Sequence, residues 1–89
     1  MRLDKFLKVS RLVRQRPRAK ILCDAGAVEV NGKTARAGRL VETGDELMMI
    51  IGNRRIRAVI RCVPEGNVSK DAASTLVDIR EEVWIDEQE

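Results

Sequence analysis

Histidine and tyrosine are absent from these 89 residues, and phenylalanine and tryptophan occur once each, as Phe6 and Trp84. Without histidine there is no Ser-His-Asp or Cys-His arrangement, and no histidine-bearing zinc site. With Phe6 expected in the core and Trp84 isolated, aromatic stacking is not expected, a single-strand reader built on base stacking is disfavoured, and recognition of a nucleic acid should rest on its shape and backbone. Cysteine is limited to Cys23 and Cys62. They lack the close spacing of a metal site, and each sits in an apolar-patterned segment, so both read as buried free thiols of a reducing compartment. No apolar run approaches the roughly 20 residues of a membrane span, and no secretion signal precedes the helical pattern that starts at Arg2. A phosphate-binding glycine loop and a dinucleotide fingerprint are also missing. Asp4 stands alone among basic residues and reads as an ion-pair partner, while Asp45 follows a turn glycine and reads as structural. The expectation is a soluble cytoplasmic protein, not an enzyme, with no cofactor, no metal and no membrane partner.

Charge is present in quantity and unevenly placed. The net charge is only +3, but residues 1–20 carry eight Lys/Arg against Asp4, and residues 65–89 carry eight Asp/Glu against Lys70 and Arg80. A basic head and an acidic end place a polyanion-binding face at one end of a small domain. A chain of this length buries only about 60–65% of its unfolded surface, which leaves little volume for a deep cavity.

Apolar spacing organises the rest. Leu3, Phe6 and Leu7 recur at i, i+3 and i+4 and predict a helix over 2–10, with Arg2, Lys5 and Lys8 on roughly the opposite side. Residues 11–16 read as a basic turn. Pro17 suits the start of a second helix, and Gly26 suits its stop, because it takes positive φ without cost. Ala19, Leu22, Cys23 and Ala25 are expected inward. Val28–Val30 then alternates, and Asn31-Gly32 is a hairpin signal returning through Lys33–Ala35. Arg39–Val41 reads as a further short extended piece, Leu47–Ile51 as a strand, and Arg54–Val63 as a strand with Ile56, Ala58, Ile60 and Cys62 inward and arginines outward. Ser69 is placed to cap a short helix through Ala73. Leu76–Ile79 suits either strand or helix, and the acidic end from Glu81 reads as frayed. Residues 1–65 are expected to form the main domain, and residues 66–89 a short helix or extended segment with an acidic tail.

The basic head carries the candidate site. Arg2, Lys5, Lys8, Arg11, Arg14, Arg16, Arg18 and Lys20 place many cations in a compact stretch, suited to following a phosphate backbone, and Arg39 extends them. Arginine adds a planar fork that grips one phosphate with two hydrogen bonds. Arg16→Ala is expected to weaken binding by about 1–2 kcal/mol and to spare the fold.

The stretch Arg2-Leu3-Asp4-Lys5-Phe6-Leu7, with Arg11, Arg18-Ala19, Gly26-Ala27-Val28-Glu29-Val30-Asn31-Gly32-Lys33, Val41 and Gly44-Asp45, resembles the S4 RNA-binding domain. The resemblance implies an α+β, S4-like (alpha-L) fold: an N-terminal helix-turn-helix packed on a small, mostly antiparallel sheet. Among S4 proteins, the chain is similar to stand-alone members, the RqcP (YabO)-type ribosome quality-control factors and, less closely, heat-shock protein 15. The RqcP resemblance implies binding to large-subunit rRNA and P-site peptidyl-tRNA on obstructed large ribosomal subunits. It also implies cooperation with an RqcH/NEMF-type factor during C-terminal alanine tailing, by a chain expected to be a monomer. Two alternatives stand beside it: recycling of such subunits without tailing, in the manner of heat-shock protein 15, or targeting of a separate RNA-modifying enzyme. One departure is Pro17, where many S4 domains carry Ser or Thr. It keeps a helix start but forgoes a capping hydroxyl and any RNA contact made through one.

Overall fold

A computed structural model describes residues 1–85, and the acidic run 86–89 lies outside the described residues. The elements follow in the order α1 (Leu3–Val9), α2 (Arg16–Asp24), β1 (Val28–Val30), β2 (Lys33–Thr34), β3 (Glu46–Ile51), β4 (Arg54–Ile60), α3 (Lys70–Ala73) and β5 (Val77–Trp84). The strands form one five-stranded sheet in the order β2-β1-β3-β4-β5, with every neighbour antiparallel.

Register explains which face is buried. Val28 lies opposite Met49, Val30 opposite Leu47, Leu47 opposite Ala58 and Met49 opposite Ile56. Side chains alternate across a strand, so these pairs share one face. That face meets Leu3, Phe6, Leu7, Ala19 and Leu22 from the two helices in a single core. The opposite face is charged and laced by pairs such as Arg57–Glu46 at 3.3 Å.

Helix termini show why the chain turns where it does. The helix α1 has no side-chain cap. Its first donors reach a distant strap instead: the Leu3 amide donates to the Arg39 carbonyl at 2.7 Å and the Asp4 amide to the Ala37 carbonyl at 3.1 Å. The Lys5 amide donates to the Asp4 carboxylate at 2.8 Å. These bonds satisfy donors that a helix start leaves open. The strap 37–41 is therefore a cap for α1 rather than a strand of the sheet, and its only bridge is Arg2 with Leu40. Arg39–Val41 is thus a short extended piece, as expected, but one that bridges Arg2 and does not join the sheet. The helix α2 closes on Gly26 at φ +77, with the Gly26 amide donating to the Cys23 carbonyl and the Ala27 amide to the Leu22 carbonyl. This is the paired bonding of a left-handed helix stop. Asn31 and Gly32, both at positive φ, make the hairpin turn.

Three expectations change. Cys62 is exposed, because the strand ends at Ile60 and the amides of Arg61 and Cys62 turn to the Leu76 carbonyl. Ala25 is also exposed, since it lies beyond the last turn of α2 that faces the core. The chain from Glu81 is not frayed through Trp84: it continues β5 alongside β4. Its acidic side chains find arginines on β4, with Arg54–Glu82 at 3.0 Å and Arg55–Glu81 at 3.9 Å.

Candidate nucleic-acid interface

The site is built on α1, α2 and the turn between them. That turn is neither wholly basic nor wholly outside the core. Val13 is buried in it, and its amide donates to the Leu7 carbonyl at 3.0 Å. Anchoring Val13 leaves Arg11 and Arg14 to project, and both are exposed. Arg11 adopts φ +63, in the left-handed region that costs an L-residue about 1–2 kcal/mol.

Asp4 is the hub beneath the cations. Its side chain is almost fully buried and receives Arg2 Nε at 3.2 Å and Arg16 Nε at 3.3 Å. Burial by itself pushes the carboxyl up. The hydrogen bonds from Arg2 and Arg16, the Arg16 charge and the Lys5 amide outweigh it and hold the carboxyl below its ordinary range. Arg2 and Arg16 are thus fixed in place while about half of each side chain stays exposed, 50% and 46%. Arg16 is the first residue of α2, not a turn residue without structural duty. Its pairing with buried Asp4 gives Arg16 a structural contact that the turn reading does not include.

Other cations gather in two grooves separated by Leu12. One is lined by Arg14, Arg18 and Arg54 together with Leu12, Leu22 and Ile51. The second holds Arg11, Arg61 and Lys70 over an apolar floor that includes Ala73, Val77 and Ile79. Among the described residues, no carboxylate lies within ion-pair distance of Arg11, Arg14 or Arg18. Lys8 is exposed and Lys5 half-buried on α1. Lys20 points along α2 to Asp24 at 3.1 Å, an exposed pair. Arg39 stands on the capping strap, exposed, with its carbonyl holding the start of α1.

The arginines of Arg54–Val63 predict an outer face of β4 that includes Arg54 and Arg61. Arg54 instead belongs to the helix side, in phase with Ile56 and Ala58, and period-two counting from Ile56 places it there. Arg61 escapes that counting because β4 ends at Ile60. Cys23 is buried, and its thiol is pushed up to about 11 by desolvation and by the nearby Asp4 and Asp24 charges, so it stays protonated. Among the described residues no group of acidic or sulfur side chains is arranged to hold a metal, and no helix is long and apolar enough to cross a membrane.

Comparison with known proteins places this geometry in a family. Residues 1–47 match the S4 domain model. The chain is 46% identical to the RQC P-site tRNA stabilizing factor of Halalkalibacterium halodurans over 89 residues, covering 100% of both chains. It is 42% identical to the factor of the same name from Listeria innocua over 87 residues, covering 98% of this chain and 94% of that one. The chain belongs to the S4-domain family of RQC P-site tRNA stabilizing factors. Its fold is shared more widely among S4 proteins. The trimeric heat shock protein 15 of Vibrio cholerae superposes with a TM-score of 0.82 at 25% identity, covering 89% of this chain and 80% of that one. The S4 match covers the helix pair, the hairpin and the strap, and therefore all of Arg2, Lys5, Lys8, Arg11, Arg14, Arg16, Arg18, Lys20 and Arg39. Arg54, Arg61 and Lys70 lie beyond it and are contributed by the rest of the sheet and α3.

Proposed function

We propose that this chain is a non-catalytic RNA-binding factor of the cytoplasm that docks on obstructed large ribosomal subunits and steadies P-site peptidyl-tRNA there. The observation that carries the reading is the set of exposed arginines on the helix pair, Arg11, Arg14 and Arg18, without ion-pair partners among the described residues, in a chain similar end to end to factors named for stabilising P-site tRNA. Guanidinium groups on a rigid frame suit the shape and backbone of a folded RNA. Arg2, Lys5, Lys8, Arg16, Lys20 and Arg39 complete the proposed contact surface to large-subunit rRNA and tRNA. In this reading residues 1–65 are the RNA-binding module and residues 66–89 complete its sheet and carry the acidic end. The chain acts as a monomer beside an RqcH/NEMF-type factor during C-terminal alanine tailing.

The test is sedimentation of the tagged chain through a sucrose gradient, with the large-subunit fraction probed for tRNA and for the RqcH-type factor. The chain should travel with large subunits holding peptidyl-tRNA, and Arg14→Ala combined with Arg18→Ala should shift it to the top of the gradient. Undiminished co-sedimentation of that double variant would remove these arginines from the docking surface. A second reading is recycling of such subunits without tailing. It would show as the same subunits bearing nascent chains without alanine tails.

A further inference from the structure

The end of β5 carries a large aromatic side chain that the basic head has not yet used. Trp84 is 64% exposed. It lies across the strand pair from Arg54, whose guanidinium carbon sits over the ring at 5.7 Å from its centroid. The strand end is tied on both sides: Arg54 holds Glu82 at 3.0 Å, and the Ile85 amide donates to the Asn53 carbonyl at 2.6 Å. Arg54 also lines the groove that contains Arg14 and Arg18. One side chain therefore separates the ring from two cations of the head.

We propose that Trp84 is a stacking platform for one unpaired nucleobase of the bound RNA, with the adjoining phosphates on Arg14 and Arg18. The proposal rests on the RNA-binding reading above and extends it to a residue outside the S4 match. Core packing does not account for the ring, because most of its surface meets water. Arg54 covers one face by cation–π attraction and, being paired with Glu82, serves to hold the ring rather than to bind phosphate. With Trp84 64% exposed, the ring retains surface for the π-face of a base, a contact that tolerates any base identity. Tryptophan and arginine also mark protein interfaces. RNA is favoured here because the groove beside the ring holds two guanidiniums with no carboxylate partner among the described residues and runs directly into the basic head. A single ring serves a single base, at a loop, bulge or strand end. This departs from the expectation, drawn from composition, that base stacking plays no part, because the ring stands exposed beside the basic groove.

Trp84 is the only tryptophan and tyrosine is absent, so tryptophan emission reports on this position alone. The full chain is titrated with a dye-labelled RNA hairpin carrying an unpaired loop and with the same hairpin made abasic in the loop, reading emission and dye anisotropy together. The intact loop should quench Trp84. The abasic loop should bind about tenfold more weakly without quenching. Trp84→Ala should bind both hairpins at that weaker level, and Trp84→Phe should recover most of the difference. Thermal melting of both variants checks the fold, and if the alanine variant is unfolded, the phenylalanine variant and the quenching carry the test. Hairpin binding without quenching, or unaltered by Trp84→Ala, overturns the stacking role and leaves the RNA-binding reading intact. Failure of both hairpins to bind the unmodified chain overturns both. If Trp84→Ala leaves hairpin affinity unchanged but releases the chain from large subunits, the ring faces a protein and the proposal is wrong.

Discussion

Single residues divide into those that build the interface and those that present it, and Asp4 does the first. Its carboxylate is the shared acceptor of Arg2, Arg16 and the Lys5 amide. Asp4→Asn keeps the size but loses charge-assisted bonds, and should cost about 2 kcal/mol near neutral pH. The folded-state carboxyl is held below its ordinary value, so its contribution is present above the unfolded value of about 3.9 and is lost as pH falls through the lower folded value. Urea midpoints of the two proteins should therefore differ at neutral pH and converge in strong acid. A gap independent of pH would mean that packing, not charge, fixes Asp4. Arg11 presents. Its positive φ favours glycine, so Arg11→Gly should leave stability unchanged or raise it by up to about 1 kcal/mol, while lowering RNA affinity by about 1 kcal/mol. Filter binding beside urea denaturation reads the two effects separately. A fall in both would return Arg11 to a structural role.

Elements were legible where their signals are local. Gly26 after the last turn of α2, Asn31-Gly32 between β1 and β2, and Ser69 before α3 act within a few residues of themselves, and each stands where its chemistry places it. The Ser69 hydroxyl accepts the Ala72 amide at 3.2 Å. Ser69→Ala should cost about 1 kcal/mol, seen as a Tm lower by roughly 4–8 °C, with no change in RNA affinity. An unchanged Tm would show that α3 is held by Ala73 and Leu76 alone. Three features were not legible, and each depends on a partner distant in sequence. The strap 37–41 holds the extended piece expected at Arg39–Val41, but its role as a cap emerges only when the open amides of α1 claim its carbonyls. Glu81 and Glu82 look like solvated tail until the arginines of β4 lie beside them. Cys62 follows the alternation of β4 on paper, but the chain has already left the strand. The candidate site shows the same division. The cations of the helix pair are contiguous in sequence, whereas Arg54 and Trp84 reach them only through sheet order.

At the scale of the molecule, small net charge conceals a strong local field. Acidic residues of β5 are spent on the arginines of β4, and Asp4 is enclosed, so the exposed surface of the head is more basic than the net +3 implies. Binding to a phosphate backbone by such a surface proceeds by release of condensed cations, and its salt dependence counts the phosphates neutralised. Arg11, Arg14 and Arg18 with the half-exposed Arg2 and Arg16 make about five, which sets a log–log slope of affinity against salt of roughly −3.5 to −4.5. Arg14→Ala with Arg18→Ala should bring it to roughly −2 to −3, because each lost phosphate contact removes about 0.7–0.9 from the slope. Trp84→Ala should weaken binding without altering the slope, since stacking releases no counterion. Anisotropy titrations with one hairpin RNA at several salt concentrations measure all three. A flat response in the unmodified chain would place the affinity outside the head, and an equal loss of slope in both variants would mean that the double variant and Trp84→Ala act through the fold rather than through their own contacts.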